Sequence, residues 1–562
     1  MRRRELLFLA TSGVIGVGIG GFAACSGDPA PEGGEPNGGT MVIAWGSDIS
    51  TLIALVASSA SDGAIADSIT VPMLDAAFDC SLKKLPGYAT DWSWSDDGKI
   101  LKMTLRDDLT WSDGTPVTPD DIKFTYDLIA DPVVASPRKD YTQRMEADAR
   151  PLILDKTHIE WHFTTAYDRD SQAAHVSMNL LPKHILEKAD RSSLKGNAFG
   201  TNPVVFGPWK LGTYEPKVRI VLEPNEKFTG PPEMKAKLKR VILKIIPEYN
   251  TRLLELEKGD VHMMEGVRIP DVERLKQTQP NLNFVRRGFR FMDYVGWNLD
   301  NPLFSDKRVR VALAHAASVD DLIQNLLTTS TGEKYGRPAY STITPELCGV
   351  VPEALVPYNY DVEAAKKLLA EAGWADSNGD GVLDKDGVKF EFELLTNAES
   401  SRRNDAAIRL QAAFKAVGVQ MNITKLDFNN LSERTRARDF QAILLGWSAG
   451  LFIDPSDMWH SDDVDATGKV TKKREFNYPN YRNPEVDALI EKGLSTPTPE
   501  EAAPIWKEMQ AKIYADQPYL FLYWMDDVVA VDKKFDVKPN ILSPLFHLYD
   551  WKLAPTQPAA TP

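Results

Sequence analysis

The sequence predicts an α/β protein built of two or three lobes, and three observations lead there. Short β-rich runs such as Met41–Trp45 and Leu101–Leu105 alternate with stretches of helical period. Capping residues mark helix starts along the chain. A chain of 562 residues, 43% hydrophobic and 26% charged, exceeds what one core can enclose.

In chain order, the first element is an address. Arg2, Arg3 and Arg4 precede an apolar run from Leu6 to Ala24, the order of an export signal whose positive end stays in the cytoplasm. Residues 1–24 therefore read as a signal peptide. Phe22-Ala23-Ala24-Cys25 resembles the bacterial lipobox, although Phe22 stands where Leu is usual, and the resemblance implies a lipid on Cys25 and a membrane anchor. Residues 25–39, rich in Pro, Gly and Glu, cannot pack a core and read as a flexible tether. The alternative is an uncleaved transmembrane helix, since the run approaches the ~20 residues a bilayer requires. Under both readings the globular part lies outside the cytoplasm.

Four helix starts follow. Thr118-Pro119-Asp120-Asp121 offers an N-cap, a proline at the first helical position and acids at the positive helix end, ahead of Ile122–Leu128. Ser305 is expected to cap a helix whose apolar Val309, Ala312, Leu313 and Ala316 share one face. Ser318 with Asp321 suggests a capping box. Asp361 caps a fourth helix, which ends at Gly373, where a left-handed stop belongs. Residues 556–562, Pro/Ala/Thr-rich, read as a disordered tail.

Composition narrows the chemistry. The formal charge is -14, and removing the signal (three Arg, one Glu) leaves -16, which with no basic stripe argues against a nucleic-acid partner. If Cys25 is lipidated, Cys80 and Cys348 form at most one disulfide or stay as buried thiols. The eight histidines show no HExxH and no zinc spacing, and there is no GxSxG, P-loop or GxGxxG, so no enzyme and no cofactor is expected. His158 and His162 fall on one face of an expected strand, a weak metal pair at most. Asp376, Asn378, Asp380 and Asp384 match the first half of an EF-hand loop, but Gly387 stands where the bidentate Glu belongs. A tight Asx-rich turn and a structural calcium are the two readings.

Four segments carry a family resemblance. They are Trp92–Lys99 with Trp111–Asp121; Asn202–Leu211 with Glu223–Asn225; Trp297-Asn298 with Pro302–Asp306 and Arg308–Arg310; and Asp361–Trp374 with Gly446-Trp447 and Asp454-Pro455. In this order they resemble the extracytoplasmic solute-binding proteins of family 5, receptors of peptide importers. The resemblance implies a periplasmic-binding-protein-like fold, two jaw lobes joined by a hinge plus an inserted third domain. On that template residues 40–82, 200–300 and 520–555 form domain I, 83–199 the insertion, and 301–519 domain III, with crossings near 300 and 520. It implies a receptor that binds an oligopeptide between domains I and III and delivers it to ABC permease subunits, and a monomer is expected.

The resemblance also points to residues. Gly446, Trp447 and Ser448 match the segment that pairs with the peptide main chain, Gly446 admitting close approach and Trp447 an aromatic wall. The alternative is that Trp447 belongs to a strand core. Many relatives carry an Asp three residues after this Trp; here Gly450 stands there, so either Asp454 takes its role or the ligand lacks a free amino terminus. Asp454 before Pro455 equally suits a turn cap. Trp459 either walls the pocket or packs locally, and the loop Asp67-Ser68-Ile69 is a further candidate contact. Competing readings keep the receptor but exchange the cargo for an oligosaccharide, opine-like conjugate or metal chelate. Others make it a secreted hydrolase or an envelope chaperone.

Overall fold

Two apolar runs organise the molecule. Leu282–Trp297 and Tyr519–Asp532 form long antiparallel strands at the middle of an eleven-stranded sheet in the computed structural model. The structure describes residues 39–57, 59–76, 84–167, 169–344, 355, 358–398, 400–449, 453–464, 470–474, 476–540 and 543–555. The signal peptide, Cys25, most of the tether, Cys80, Cys348, Gly450 and the tail lie outside the described residues.

The register of the long pair shifts twice, by one residue of the second strand between Asp293 and Tyr294 and more widely between Arg287 and Phe291. Leu282–Arg287 pair with Asp532–Asp527, and Phe291–Gly296 pair with Met525–Tyr519, so residues 288–290 bulge opposite Asp526. There the neighbours change. Below the break the sheet continues through Met263–Met264, Thr40–Trp45, Arg240–Ile245 and Arg219–Pro224 to the edge strand Trp209–Glu215. Above it, Ala442–Ser448, Glu391–Asn397 and Gln420–Leu426 extend the sheet on one side and Gly336–Pro338 on the other. The sheet thus has two halves that share two strands. They part at 288–290 and 526, inward of the expected crossings near 300 and 520, because both strands run on into the second half as far as Trp297 and Tyr519.

Each half is buried on both faces, which explains the near-continuous apolar reading of Tyr519–Asp532. In the first half Val529 and Val531 enter one core while Val528 and Ala530 enter another. In the second half Leu520 and Leu522 face one core and Tyr519, Phe521 and Trp524 the other. A separate four-stranded sheet, Ala89–Trp94, Ile100–Leu105, His158–His162 and Leu152–Ile153, carries its own core, with Trp161 edge-on to Tyr126 at 4.6 Å.

Local signals mostly land where expected. The helix Pro119–Ala130 begins after Thr118, whose N–H donates to Asp121 Oδ2 at 2.9 Å. Ser318 accepts from Asp321 N, Asp361 caps Val362–Glu371, and Gly373 sits at φ +88°. One cap is displaced: Asp306, not Ser305, caps Lys307–Ala316 by accepting from Arg308 N at 2.8 Å. Ser305 instead donates to the Pro302 carbonyl within the preceding turn. Among the described residues, no helix is long and apolar enough to cross a membrane.

Candidate ligand-binding cleft

Strand direction decides which loops meet. Thr40–Trp45, Arg240–Ile245 and Met263–Met264 run parallel to one another, and Met263–Met264 is antiparallel to Tyr519–Asp532, so all three end pointing toward the second half. Ala442–Ser448 runs antiparallel to Leu282–Trp297 with Ser448 opposite Phe291, so it ends pointing toward the first half. The facing loops begin at residues 46, 246, 265 and 449.

Gly446, Trp447 and Ser448 lie at this meeting point. Their strand pairs with Leu282–Trp297 along its whole length, but on its other edge Glu391–Asn397 pairs only with Ala442, Ile443 and Leu444. From Leu445 onward that edge has no strand partner among the described residues, leaving backbone groups that can take an added strand. Trp447 stands behind the edge, half-buried, stacked 5.3 Å from Tyr478 and donating Nε1–H to Tyr519 Oη at 3.1 Å. Trp447 therefore packs against the strand core and keeps an exposed part.

Gly446 faces a buried ion cluster. Asp293, fully buried, accepts from Arg403 Nε and Arg402 Nε, each at 2.9 Å. Arg403 also donates to Asn397 Oδ1 at 2.9 Å. A Cβ at position 446 would meet the Phe291 ring at 2.6 and 2.7 Å and the Arg403 guanidinium closer still, so glycine is required by neighbours rather than by φ. Burial raises the Tyr523 hydroxyl far above its usual range, reinforced by the Asp293 charge.

A second cluster sits across the register break. Arg287 Nη2 donates to Glu265 Oε2 at 3.0 Å and to Asp527 Oδ2 at 2.5 Å. Burial, opposed by Arg287, pushes the Glu265 carboxyl up to about 7. Neither cluster was anticipated from sequence. The signal was there: Asp293, Arg286-Arg287 and Asp526-Asp527 interrupt apolar runs, and charge inside an apolar strand must be paired.

The remaining candidates fall elsewhere. Asp454 is at once a turn cap, accepting from Ser456 N at 3.0 Å, and an ion-pair partner, 3.8 Å from Arg144 of the smaller sheet's lobe. His175 lies nearby, and burial, aided by the Arg144 charge, lowers its pKa to about 4. Trp459 is buried, donates to Thr342 Oγ1 at 2.8 Å and packs on Tyr519. The expected loop at 67–69 is the end of a helix, Ala60–Ser68, followed by its C-cap Ile69. Ser68 is buried and donates to the Ala64 carbonyl; Ile69 joins the first-half core. Asp67 accepts from Asn179 and lines a separate cavity of about 250 Å³ with Asp75 and His547, beside the start of the edge strand Trp209–Glu215.

The Asp376 loop is folded on its own carboxylates. Asp376 accepts from Gly379 N and Gly381 N, Asp384 from Ser377, and Asp380 pairs with Lys389. His158 and His162 each lean on neighbouring acids, and no group of three His, Cys, Asp or Glu among the described residues is placed to hold a metal.

Comparison with known proteins gives this architecture its context. Oligopeptide-binding protein AppA of Bacillus subtilis is 31% identical over 474 residues, covering 82% of each chain. The structure of that protein with a nonapeptide superposes with a TM-score of 0.72 at 27% identity, over 92% of this chain and 99% of that one. NikZ of Campylobacter jejuni, in complex with Ni(L-His), shares the fold with a TM-score of 0.75 at 23% identity, over 91% and 99% of the two chains. The family model of bacterial extracellular solute-binding proteins, family 5, matches residues 84–468. With that match and the AppA relationship, the chain belongs to the extracellular solute-binding proteins of family 5, binding proteins rather than enzymes.

Proposed function

We propose that the protein is the lipid-anchored receptor of an ABC importer and takes an oligopeptide between its two sheet halves. The observation that carries this reading is the strand edge from Leu445 to Ser448, which has no strand partner among the described residues and ends toward the first half with the half-buried Trp447 behind it. An extended peptide satisfies such an edge by main-chain hydrogen bonds, which do not depend on side-chain identity. The AppA relationship supports the same cargo class.

On this reading residues 40–82, 200–287 and 527–555 form the first jaw and 291–525 the second, with 288–290 and 526 as the hinge. Residues 83–199 are the insertion. Cys25 carries the lipid and the tether spans from membrane to jaw. The receptor works as a monomer, and ligand contact with both jaws shifts the population toward closure.

The contact of Arg144 with Asp454 joins the insertion to the far jaw, as does the hydrogen bond from Arg169 N to Pro497 O at 3.0 Å. Both Arg144 and Asp454 are more than a third exposed, so the pair contributes at most about 1 kcal/mol. Arg144→Ala is expected to weaken ligand binding by no more than about fivefold. Scattering of the unliganded variant should show a larger mean radius; unchanged affinity and radius would remove the pair from the closing contacts.

Calorimetric titration tests the proposal itself, with pooled tripeptides to nonapeptides set against nickel–histidine and an oligosaccharide mixture. Peptides should bind with a negative heat-capacity change. Heat only from the chelate or the sugars would replace the peptide reading.

A further inference from the structure

The short strand Gly336–Pro338 belongs to the second half of the sheet, pairing with Met525–Tyr523, and the loop before it is a closed finger. Thr328 bridges to Lys334, Thr329 N donates to Glu333 O at 3.0 Å, and Gly332 turns the tip at φ +86°. Tyr335 stands at the finger's base. Its backbone is tied to the second half, with its N–H donating to Leu327 O at 2.7 Å, and its carbonyl accepts from Asp526 N at 2.9 Å. Its ring goes the other way. Tyr335 is 2% exposed and joins the first-half core that holds Leu275, Val528 and Phe284.

First-half side chains close over the ring. Lys276 Nζ donates to Tyr335 Oη at 3.1 Å and to Glu333 Oε2 at 2.6 Å. The Arg286 guanidinium lies 4.7 Å from the ring centre, a cation–π contact, while its Nε donates to Asp526 Oδ2. Nearer the finger's tip, Ser330 N donates to Glu273 Oε2 at 2.9 Å. Withdrawing the ring would expose apolar core surface and break these contacts together. The Tyr335 backbone also sits one strand spacing, roughly 5 Å, from the proposed hinge at Asp526, so rotation of the jaws displaces it little. A jaw that swings far at its tip can keep this ring seated.

We propose that Tyr335 is the pivot of the receptor, a second-jaw ring that stays in its first-jaw socket in the open and the closed form and fixes the line about which the jaws turn. This rests on the two-jaw reading above. Gly336 pairs with Met525, Met525 with Phe291 and Phe291 with Ser448, so the finger's base and the edge Leu445–Ser448 lie three strand spacings, about 14 Å, apart. Tyr335 is thus a positioning residue: it acts on binding through the way that edge approaches the first jaw.

Small-angle scattering and calorimetry with pooled tripeptides to nonapeptides test the pivot on the mature protein stripped of carried ligand, with circular dichroism confirming that each variant folds. Tyr335→Phe keeps the ring and should match the wild type in radius and, within about twofold, in affinity. Tyr335→Leu empties the socket of its ring. It should raise the mean radius of the unliganded protein and weaken peptide binding about fivefold to tenfold, since closure must then fix more freedom. A folded Tyr335→Leu with the wild-type radius, or a Tyr335→Phe as loose as Tyr335→Leu, overturns the inference. A second arm decides the matter if the leucine variant does not fold: Glu273→Cys and Ser330→Cys, in a Cys80→Ser and Cys348→Ser background, are joined by a short bismaleimide. A pivot tolerates that bridge, with peptide affinity within about twofold of the unbridged protein. A loss of about tenfold or more means that the finger must leave the first jaw, and overturns the inference. If no peptide binds the wild type, the peptide reading falls and the unliganded radii alone decide the pivot.

Discussion

Replacing Asp293 with alanine is expected to destabilise the second jaw by about 3–5 kcal/mol, the cost of leaving a buried charge without its partner. Asp293 is fully buried and holds both Arg402 and Arg403 through their Nε atoms. Arg403 is 8% exposed and extends from the first turn of the helix Ser401–Lys415. Removing the carboxylate leaves two guanidinium groups facing each other beside Gly446, so the jaw yields or the helix shifts. Asp293→Asn keeps the volume and one acceptor oxygen and should lose less. Urea unfolding followed by tryptophan fluorescence separates the outcomes: a lowered midpoint for the alanine variant, intermediate for asparagine, supports the account. Coincident curves would mean that the cluster contributes no net stability.

Gly446→Ala is expected to cost about 1–3 kcal/mol and to weaken ligand binding more than tenfold. The added methyl meets the Phe291 ring and the Arg403 guanidinium at distances real Cβ atoms do not adopt. Arg403 cannot step aside freely, because Asp293 and Asn397 both hold it. The strand itself must move, and with it the edge proposed to receive the ligand backbone. A Ser448→Ala control adds no Cβ clash and should bind nearly as the wild type does. Retained affinity in Gly446→Ala would show that the edge is not where the ligand lies.

What the sequence made legible was local. Thr118, Ser318, Asp361 and Gly373 act within one helical turn, so their roles follow from neighbours a few residues away. The shift from Ser305 to Asp306 reflects a turn that offers two cap candidates in succession. The helix Ala60–Ser68 was read as a loop at its end because its apolar residues trace no single face. The division of the sheet into two halves was less legible, since Leu282–Trp297 looks like one strand and only its distant partners divide it. The charge clusters were the hardest. Arg287, Asp293 and Asp527 sit in apolar strands, and nothing nearby says which guanidinium meets which carboxylate across 110 to 240 residues. The resemblance pointed to Gly446 and Trp447, which lie where their strand ends toward the first half of the sheet, while Asp454 and Trp459 are held by turn geometry and core packing that a family motif does not encode.

Native mass spectrometry of the mature protein as purified, followed by extraction of whatever it carries, tests the central claim most directly. The account predicts a series of masses above the bare chain that resolve into peptides of several lengths, lost together in Gly446→Ala. A single bound metal chelate or sugar, retained in that variant, would contradict it.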